Sequence, residues 1–349
     1  MDGIKSLGDF KRCVQFLFNK NEEALEEHGK YHWAQLKAYL IEVNPKLVPH
    51  IPCPSGSWRP LDVSGWYINS AADDRRTDES FVLNRTGERV CTIFSLAEAR
   101  ISDYSIEKMV GETHGIDYCW LTRSLMKYWS DKENWMERGV GIKFEDGLRP
   151  EEHRSYLSMK AWYGAQGIDP EIEGVLRTLR EKYAINSMRW QKISGNDVVI
   201  SSEWYSNGKV TINRATEVEE ALQCVIYMAL VYEDELREAT KIRDSVYAPF
   251  EIEFTRSIDV DGFSNVTSKG VGELKLWLVE LEREDDYRRY SGVDLHTWDR
   301  VLMGVAPSYA HLVIPMDGCV NAAPRIATVH GEESAGKTSI SIDGVEVFA

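Results

Sequence analysis

The sequence predicts an α+β protein with a ferredoxin-like central unit, on the basis of three observations. Strand and helix patterns alternate between residues 155 and 258, a helical periodicity opens the chain, and alternating apolar runs close it. The 349 residues and the 43% hydrophobic content are sufficient for two or three domains with substantial cores. We therefore expect a helical N-terminal part, the central unit and a β-rich C-terminal region.

Shifts in pattern along the chain divide it into four expected segments. Residues 1–60 are predicted to be a helical N-terminal segment with a Pro-rich linker, and residues 61–150 a mixed α/β region. Residues 151–260 are predicted to be the ferredoxin-like α+β domain, and residues 261–349 the β-rich C-terminal region.

Two helices are predicted at the start of the chain. Apolar residues from Phe10 onward recur at helical spacing, and this first helix should stop at Gly29. The apolar positions within residues 33–43 predict a second helix, which Asn44 and Pro45 would end. From Pro45 on, 16 residues contain five of the chain's 11 prolines, which predicts a linker or rigid loop.

The mixed region contains two predicted strands and one predicted helix. Residues 90–94 and 139–144 have the composition of strands. The stripe formed by Leu121, Leu125 and Trp129 predicts a helix, with Asp117 as its N-terminal cap.

The central unit has the predicted element order β-α-β-β-β-α-β. Without its extra short strand the order is βαββαβ, that of the ferredoxin-like split βαβ arrangement. That fold hosts many unrelated functions, so it identifies none. The predicted strands are 155–163, 185–193, 198–205, 209–213 and 250–258; the helices begin at Pro170 and after Thr216.

The last segment is predicted to consist mainly of strands. An Asp343-Gly344 turn between two alternating apolar runs is a strong hairpin signal. The predicted strands are 273–281, 310–314, 326–330, 339–342 and 345–348.

Charge and cysteine usage limit the classes of function. The formal net charge of −15 disfavours broad nonspecific nucleic-acid binding, which depends on cations that contact phosphates. The six scattered cysteines predict reduced thiols, and the sequence has neither a secretory signal pattern nor an apolar stretch long enough to span a membrane. We expect a soluble cytoplasmic protein with no membrane partner, and we interpret the acidic run 233–235 as a solvated face.

The segment from Gly331 to Thr338 satisfies the P-loop pattern GxxxxGK[ST] at every position. A P-loop requires a strand before the glycine-rich turn and a helix after it. The residues after Thr338 alternate like a β-hairpin, and Glu332 and Glu333 would add negative charge to the phosphate cradle. We therefore interpret the match as false and predict no nucleotide site there.

A divalent metal site is the strongest catalytic candidate. Asp294, His296 and Asp299 lie within six residues, and His311 is available from a later strand. Hard or borderline divalent ions favour such oxygen and nitrogen ligands. The competing interpretation is that these residues cap a helix beginning near Trp298.

Three tryptophans are candidates for a ligand-binding platform. Trp162, Trp190 and Trp204 fall on three predicted strands of the central unit, where aromatic rings could stack flat ligands. The competing interpretation is that these rings pack in the core beneath the two helices.

The leading functional prediction is a non-catalytic binding or protein-interaction protein, because no complete set of catalytic residues is found. Its partner would be another protein or a small ligand. The alternative is a metal-dependent hydrolase, a phosphoesterase or nuclease, in which the cluster of Asp294, His296 and Asp299 would hold the divalent metal. The sequence identifies no catalytic residue and no other cofactor, and it leaves the oligomeric state open.

Overall fold

The computed structural model has an α+β architecture, as the sequence predicts. The residues that it describes are 4–28, 35–69, 80–145, 156–163, 169–195, 197–270, 273–330 and 336–349.

Helices and strands alternate irregularly along the chain. The helices are α1 (Leu7–His28), α2 (Ala99–Glu112), α3 (Arg123–Lys132), α4 (Pro170–Lys182), α5 (Val218–Val246), α6 (Val260–Thr267) and α7 (Ala322–His330). The first nine strands are β1 (Leu36–Val43), β2 (Trp58–Pro60), β3 (Trp66–Asn69), β4 (Phe81–Asn84), β5 (Val90–Ser95), β6 (Ile116–Tyr118), β7 (Met136–Glu145), β8 (Tyr156–Trp162) and β9 (Ile185–Ser194). The others are β10 (Asp197–Tyr205), β11 (Lys209–Ala215), β12 (Phe250–Phe254), β13 (Leu276–Arg283), β14 (Arg288–Asp294), β15 (Arg300–Ala306), β16 (Tyr309–Val313), β17 (Thr338–Ile342) and β18 (Val345–Glu346).

The chain divides into two compact units, each assembled from separate stretches of sequence. The first comprises residues 1–119, 130–137 and 189–233; the second comprises residues 120–129, 138–188 and 234–349.

The first unit is built on an antiparallel sheet with the strand order β2-β3-β4-β5-β1-β11-β10-β9. Strand β1 is central: it pairs with β5 along one edge, and with β11 and then β6 along the other. One hydrophobic cluster of this unit combines residues of β1, β4 and β5 with Ile106, Met109 and Val110 of α2. This cluster covers the sheet face on which the candidate site described below is built.

The N-terminal prediction is half correct. Helix α1 forms as predicted and buries Phe10, Val14 and Phe18 before it ends at His28. The second predicted helix is wrong, because residues 36–43 are strand β1. All eight residues of β1 are buried, so the strand lacks the alternation of polar and apolar residues that would have distinguished it from a helix.

The central element order is confirmed, but the ferredoxin-like unit is not. Strands β8 to β12 and helices α4 and α5 follow the predicted β-α-β-β-β-α-β order. A ferredoxin-like unit would join its strands in one sheet, whereas β12 pairs with β16 and β17, and β11 pairs with β10 and β1. The Gly195-Asn196 turn lies partly outside the described residues.

Helix α3 forms where its apolar stripe predicts it, but the predicted cap is wrong. Asp117 lies in strand β6, opposite Glu42. The cap is Thr122, whose hydroxyl oxygen accepts a hydrogen bond from the backbone N–H of Leu125 at 3.1 Å.

The described part of the second unit contains a β7–β8 ribbon and a sheet of order β13-β14-β15-β16-β12-β17-β18. The terminal β17–β18 hairpin turns at Asp343 and Gly344, both with positive φ, as the sequence predicts. The strand predicted at 326–330 is wrong: these residues end helix α7. All nine residues of α7 are buried, and a short, wholly buried run has no periodicity that separates helix from strand.

The acidic run 233–235 is only partly a solvated face, because Asp234 is exposed whereas Glu233 is buried. The Glu233 carboxylate is buried and accepts hydrogen bonds from the backbone N–H groups of Glu88, Arg89 and Val90 at 3.2, 3.2 and 3.0 Å. The amides of Glu88 and Arg89 belong to the connection between β4 and β5, and that of Val90 to the first residue of β5. A side chain on α5 therefore holds a segment that is more than 140 residues away in the sequence.

None of the helices in the described parts of the chain has the length and apolarity needed to cross a bilayer.

Candidate functional site

The three tryptophans predicted to form a platform are in different environments. Trp190 and Trp204 are 1% and 0% exposed, so neither ring is available on a surface. The Trp204 indole N–H donates a hydrogen bond to the hydroxyl of Ser202 at 2.8 Å. Trp162 is 41% exposed, and the ammonium of Lys160 lies 5.5 Å from the centroid of its ring. The structure places Trp190 and Trp204 in core packing, the competing interpretation.

Three of the four predicted metal ligands lie in the turn that joins β14 to β15. Asp294 ends β14, and its Oδ1 accepts a hydrogen bond from the backbone N–H of His296 at 3.0 Å, which forms an Asx turn. The Asp299 carboxylate accepts hydrogen bonds from the hydroxyl of Thr297 at 2.5 Å and the backbone N–H of Cys319 at 3.0 Å. The predicted helix start at Trp298 is wrong, because Trp298 has a φ of 61° in this turn and strand β15 follows it.

Asp294 forms a buried ion pair with Arg325 of α7. The Arg325 Nη2 donates to Asp294 Oδ1 at 2.5 Å, and the side chains are 0% and 2% exposed. The Arg325 Nε also donates to the carbonyl of Leu274 at 2.9 Å. The guanidinium thereby neutralises the carboxylate that would attract a divalent cation. The second oxygen, Asp294 Oδ2, accepts no hydrogen bond among the described residues, and the metal interpretation stays a prediction.

The fourth predicted ligand, His311, lies at a different position in the same sheet. It pairs with Gly304 of β15, and Gly304 pairs with Arg289 of β14. Asp294 is five residues further along β14, roughly 16 Å at the rise of an extended strand. The His311 side chain is 43% exposed, and its ring is tilted against that of Tyr309, with 4.8 Å between the ring centroids. The structure therefore does not bring His311 to the Asp294 turn.

The P-loop match lies mostly outside the described residues, which resume at Gly336. The order of elements around it is helix α7, connection, strand β17. This is the reverse of the strand-to-helix order of a P-loop. Thr338, at the metal-binding position of the motif, begins β17 and donates its hydroxyl to the carbonyl of Ala327 at 3.1 Å.

A pocket of about 490 Å³ lies in the first unit, at the end of the sheet formed by β2, β3 and β4. Its floor is formed by residues that are paired across neighbouring strands of the sheet. Pro60 lies opposite Tyr67, Tyr67 opposite Leu83, and Leu83 opposite Ile93 in the hydrophobic cluster. Paired residues in antiparallel strands share a face, so the pocket floor and the core are one continuous surface. Trp58, two residues before Pro60 on β2, completes the aromatic part of the floor.

The wall of the pocket is the Pro-rich segment that the sequence predicts as a linker or rigid loop. Ile51 is buried in the hydrophobic cluster and fastens this segment to the core. The Trp58 indole N–H donates to the carbonyl of Pro52 at 3.2 Å, which ties β2 to the wall. We call this site the Trp58 pocket. The residues that line it are His50, Ile51, Pro52, Cys53, Gly56, Ser57, Trp58, Pro60, Tyr67, Leu83 and Arg85.

The ionisable groups on the described lining residues of the Trp58 pocket are basic or neutral. Arg85 follows β4 by one residue and is exposed, and its guanidinium makes no hydrogen bond or ion pair among the described residues. His50 on the wall is also exposed and has no such partner in the described part of the chain. Burial raises the pKa of the Cys53 thiol to about 11, so this group is uncharged near neutral pH. None of the described residues that line the pocket has a carboxylate.

A second depression of about 490 Å³ lies beside α6 and β13 in the second unit. Its charged side chains are already paired. The Arg283 Nε donates to Glu280 at 2.7 Å, and Asp261 accepts from Arg288 at 3.0 Å. This depression therefore has less unsatisfied charge to recognise a ligand than the Trp58 pocket has.

Residues 1–329 match the MJECL33-like protein family, a range that includes both the Trp58 pocket and the Asp294 turn. The chain belongs to the MJECL33-like protein family. The chain is also 22% identical over 346 residues to the uncharacterised protein MJECL33 of Methanocaldococcus jannaschii, with 83% of this chain and 82% of that protein covered. The match to MJECL33 thus extends over most of both proteins.

Sequence reasoning missed the Trp58 pocket in this member of the MJECL33-like family. The prolines drew attention to the segment, but a proline cluster indicates a stiff backbone and not what the backbone packs against. Three side chains suited to ligand contact, those of His50, Cys53 and Trp58, occur within nine residues of that segment. The concentration of these side chains in so short a segment is the sequence pattern that could have indicated a ligand site. The contribution of Arg85 depends on the pairing of β3 with β4, which is not local.

Proposed function

We propose that this protein is a non-catalytic binding protein and that the Trp58 pocket is its ligand site. The observation that carries the proposal is an aromatic, apolar concavity with two basic side chains, those of Arg85 and His50, that have no partner among the described residues. In a chain of net charge −15, basic side chains commonly find an acidic partner, as Arg89 does with Glu42 at 2.7 Å.

A small molecule suits this site better than a protein surface. The volume of about 490 Å³ falls within the range of about 300 to 1,000 Å³ typical of small-molecule sites. The site is concave, whereas a protein partner would favour a flatter and larger area. The walls combine apolar contacts with a few polar groups, the arrangement that gives a ligand both affinity and orientation.

The Trp58 pocket is also preformed. The Trp58 ring is held by its hydrogen bond to Pro52, and the proline-rich wall is anchored by Ile51. Proline restricts the backbone before any ligand arrives, so little conformational entropy remains to be lost on binding.

The proposal is tested with naphthalen-2-ylmethanol, a neutral aromatic probe of suitable size, titrated by isothermal calorimetry. We expect saturable binding with a Kd on the order of 1 mM or tighter. Trp58→Ala should weaken binding about tenfold through the loss of aromatic contact. Trp58→Phe, which retains a ring and the fold, should weaken it less.

The matched control is Trp277→Ala, which removes a tryptophan that is 49% exposed on β13, away from the pocket residues in sequence. This variant should bind the probe as the unmodified protein does. Binding that fails to saturate at several millimolar would refute the proposed site, and so would an equal loss in Trp277→Ala.

A further inference from the structure

We infer that the Trp58 pocket selects aromatic carboxylates, with Arg85 as the residue that recognises the anionic group. This inference rests on the proposed function, because it names the ligand class for the same pocket. It is carried by the position of Arg85, by the absence of a partner for it in the described part of the chain, and by the fixed aromatic ring of Trp58 in the lining of the same pocket.

The register of the sheet places Arg85 at the edge of the aromatic floor. Leu83 forms part of that floor, and Arg85 is two residues further along the chain. Side chains two residues apart in an extended segment point to the same side. The backbone N–H of Arg85 donates to the carbonyl of Gly65 at 2.8 Å, so the chain is still held to the β3 side of the sheet at this point.

Other arginines of this protein form ion pairs with carboxylates. Arg214 pairs with Glu22 at 2.9 Å, Arg288 with Asp261 at 3.0 Å, and Arg325 with Asp294 at 2.5 Å. Arg85 has no equivalent carboxylate among the described residues. Its two N–H donors on one edge match the two oxygens of a carboxylate in a bidentate arrangement.

The number of charges in the pocket indicates a monoanion. Among the described lining residues, Arg85 carries the one permanent charge. The Cys53 thiol is neutral, and no described residue of the lining has a carboxylate that would compete with the ligand. A dianionic phosphate would require further donors, which are commonly several backbone N–H groups or additional basic side chains.

The ring of Trp58 supplies the other half of the recognition. Its N–H is already used by Pro52, so the ring offers a fixed apolar face and no free donor. Tyr67 adds a second aromatic side chain on the same floor. A ligand with a flat ring and a carboxylate at one end satisfies both parts of the site at once.

The experiment compares 2-naphthoate with naphthalen-2-ylmethanol, which has the same ring and a neutral hydroxymethyl group. Isothermal calorimetry at pH 7 should give the carboxylate at least about tenfold tighter binding. Arg85→Gln should reduce this preference to about twofold or less, because it should weaken the binding of the carboxylate far more than that of the alcohol. Arg85→Lys should retain part of the preference, since lysine keeps the positive charge but lacks the paired N–H donors of a guanidinium.

Arg289→Gln is the matched control, because Arg289 is a half-exposed arginine on β14 outside the pocket. It should retain the full preference for 2-naphthoate. Equal affinity of the unmodified protein for both probes would overturn the inference and leave the proposed function intact. A preference that persists in Arg85→Gln would also overturn it, and binding of neither probe would overturn the inference and the proposed function together.

Discussion

The Asp294 turn and the Trp58 pocket differ in how their charges are used. The Asp294 turn has the residues of a reactive site, but its Asp294 is buried against Arg325 and its Asp299 accepts two hydrogen bonds. The Trp58 pocket has few reactive residues, yet Arg85 and His50 have no partner among the described residues. A cluster of chemical groups in the sequence therefore indicates a site only when the fold leaves those groups unsatisfied.

The largest expected effect on the free energy of unfolding concerns the Asp294 turn, where the charges are paired. Arg325→Leu removes the partner of a buried carboxylate, and we expect a loss of about 3 to 5 kcal/mol in the free energy of unfolding. Urea denaturation followed by circular dichroism measures this loss. Adding Asp294→Asn to Arg325→Leu should recover part of the stability, because the uncompensated charge is then removed.

The control for that variant is Arg289→Leu. Arg289 pairs with Glu282 at 3.8 Å, and both side chains are half exposed, so the loss should be below about 1 kcal/mol. Similar losses in Arg289→Leu and Arg325→Leu would contradict a structural role for the Asp294 pair.

The comparison extends to the histidines, because His330 is buried whereas His50 is exposed. His330 is 0% exposed, and its ring centroid lies 5.1 Å from that of Phe254 and 5.4 Å from that of Phe263. Burial lowers the pKa of His330 from its ordinary value of 6.5 to about 4.

A lowered pKa means that the unfolded chain binds the proton more readily than the folded protein does. The stabilisation is complete above pH 6.5 and falls as the pH drops toward 4, by up to about 3 kcal/mol. We expect His330→Leu to lose this part of the pH dependence of the free energy of unfolding, measured at pH 7 and pH 5. His28→Gln, at the exposed end of α1, should keep it. An unchanged slope in His330→Leu would assign the acid sensitivity to other groups.

Much of the local structure could be predicted from the sequence, because periodicity and capping are local. Helices α1 and α4 and the hairpin at Asp343 all follow from residues within one element. Strand β1 and helix α7 could not be assigned, since both are buried on every side and carry no alternating pattern.

The candidate site was harder to predict, because its parts meet only through pairing between distant segments. Tyr67 and Leu83 become neighbours through the register of β3 with β4. The ion pair of Arg325 with Asp294 joins residues that are 31 positions apart in the sequence. Neither contact is indicated by the local composition of the sequence. The same holds for the hydrogen bonds from the backbone of residues 88–90 to Glu233.

Glu233, on α5, has a carboxylate that is hydrogen-bonded to the segment following Arg85. Glu233→Gln keeps the shape but removes the charge that accepts three backbone N–H groups, so we expect a loss of about 1 to 3 kcal/mol. Urea denaturation measures this loss, with Glu238→Gln as the control on an exposed face of α5. If the two variants lost equally little, the loop would be held by other contacts.

The smallest expected effect on the free energy of unfolding concerns Arg85 of the Trp58 pocket. Because the Arg85 guanidinium has no partner among the described residues, Arg85→Gln should change the free energy of unfolding by less than about 0.5 kcal/mol. Its consequence should be confined to binding: 2-naphthoate should raise the Tm of the unmodified protein and raise that of Arg85→Gln much less, since a ligand stabilises in proportion to its affinity for the folded state. A loss above about 1 kcal/mol without ligand would mean that Arg85 has an internal structural role, and the contrast between the two regions would then disappear.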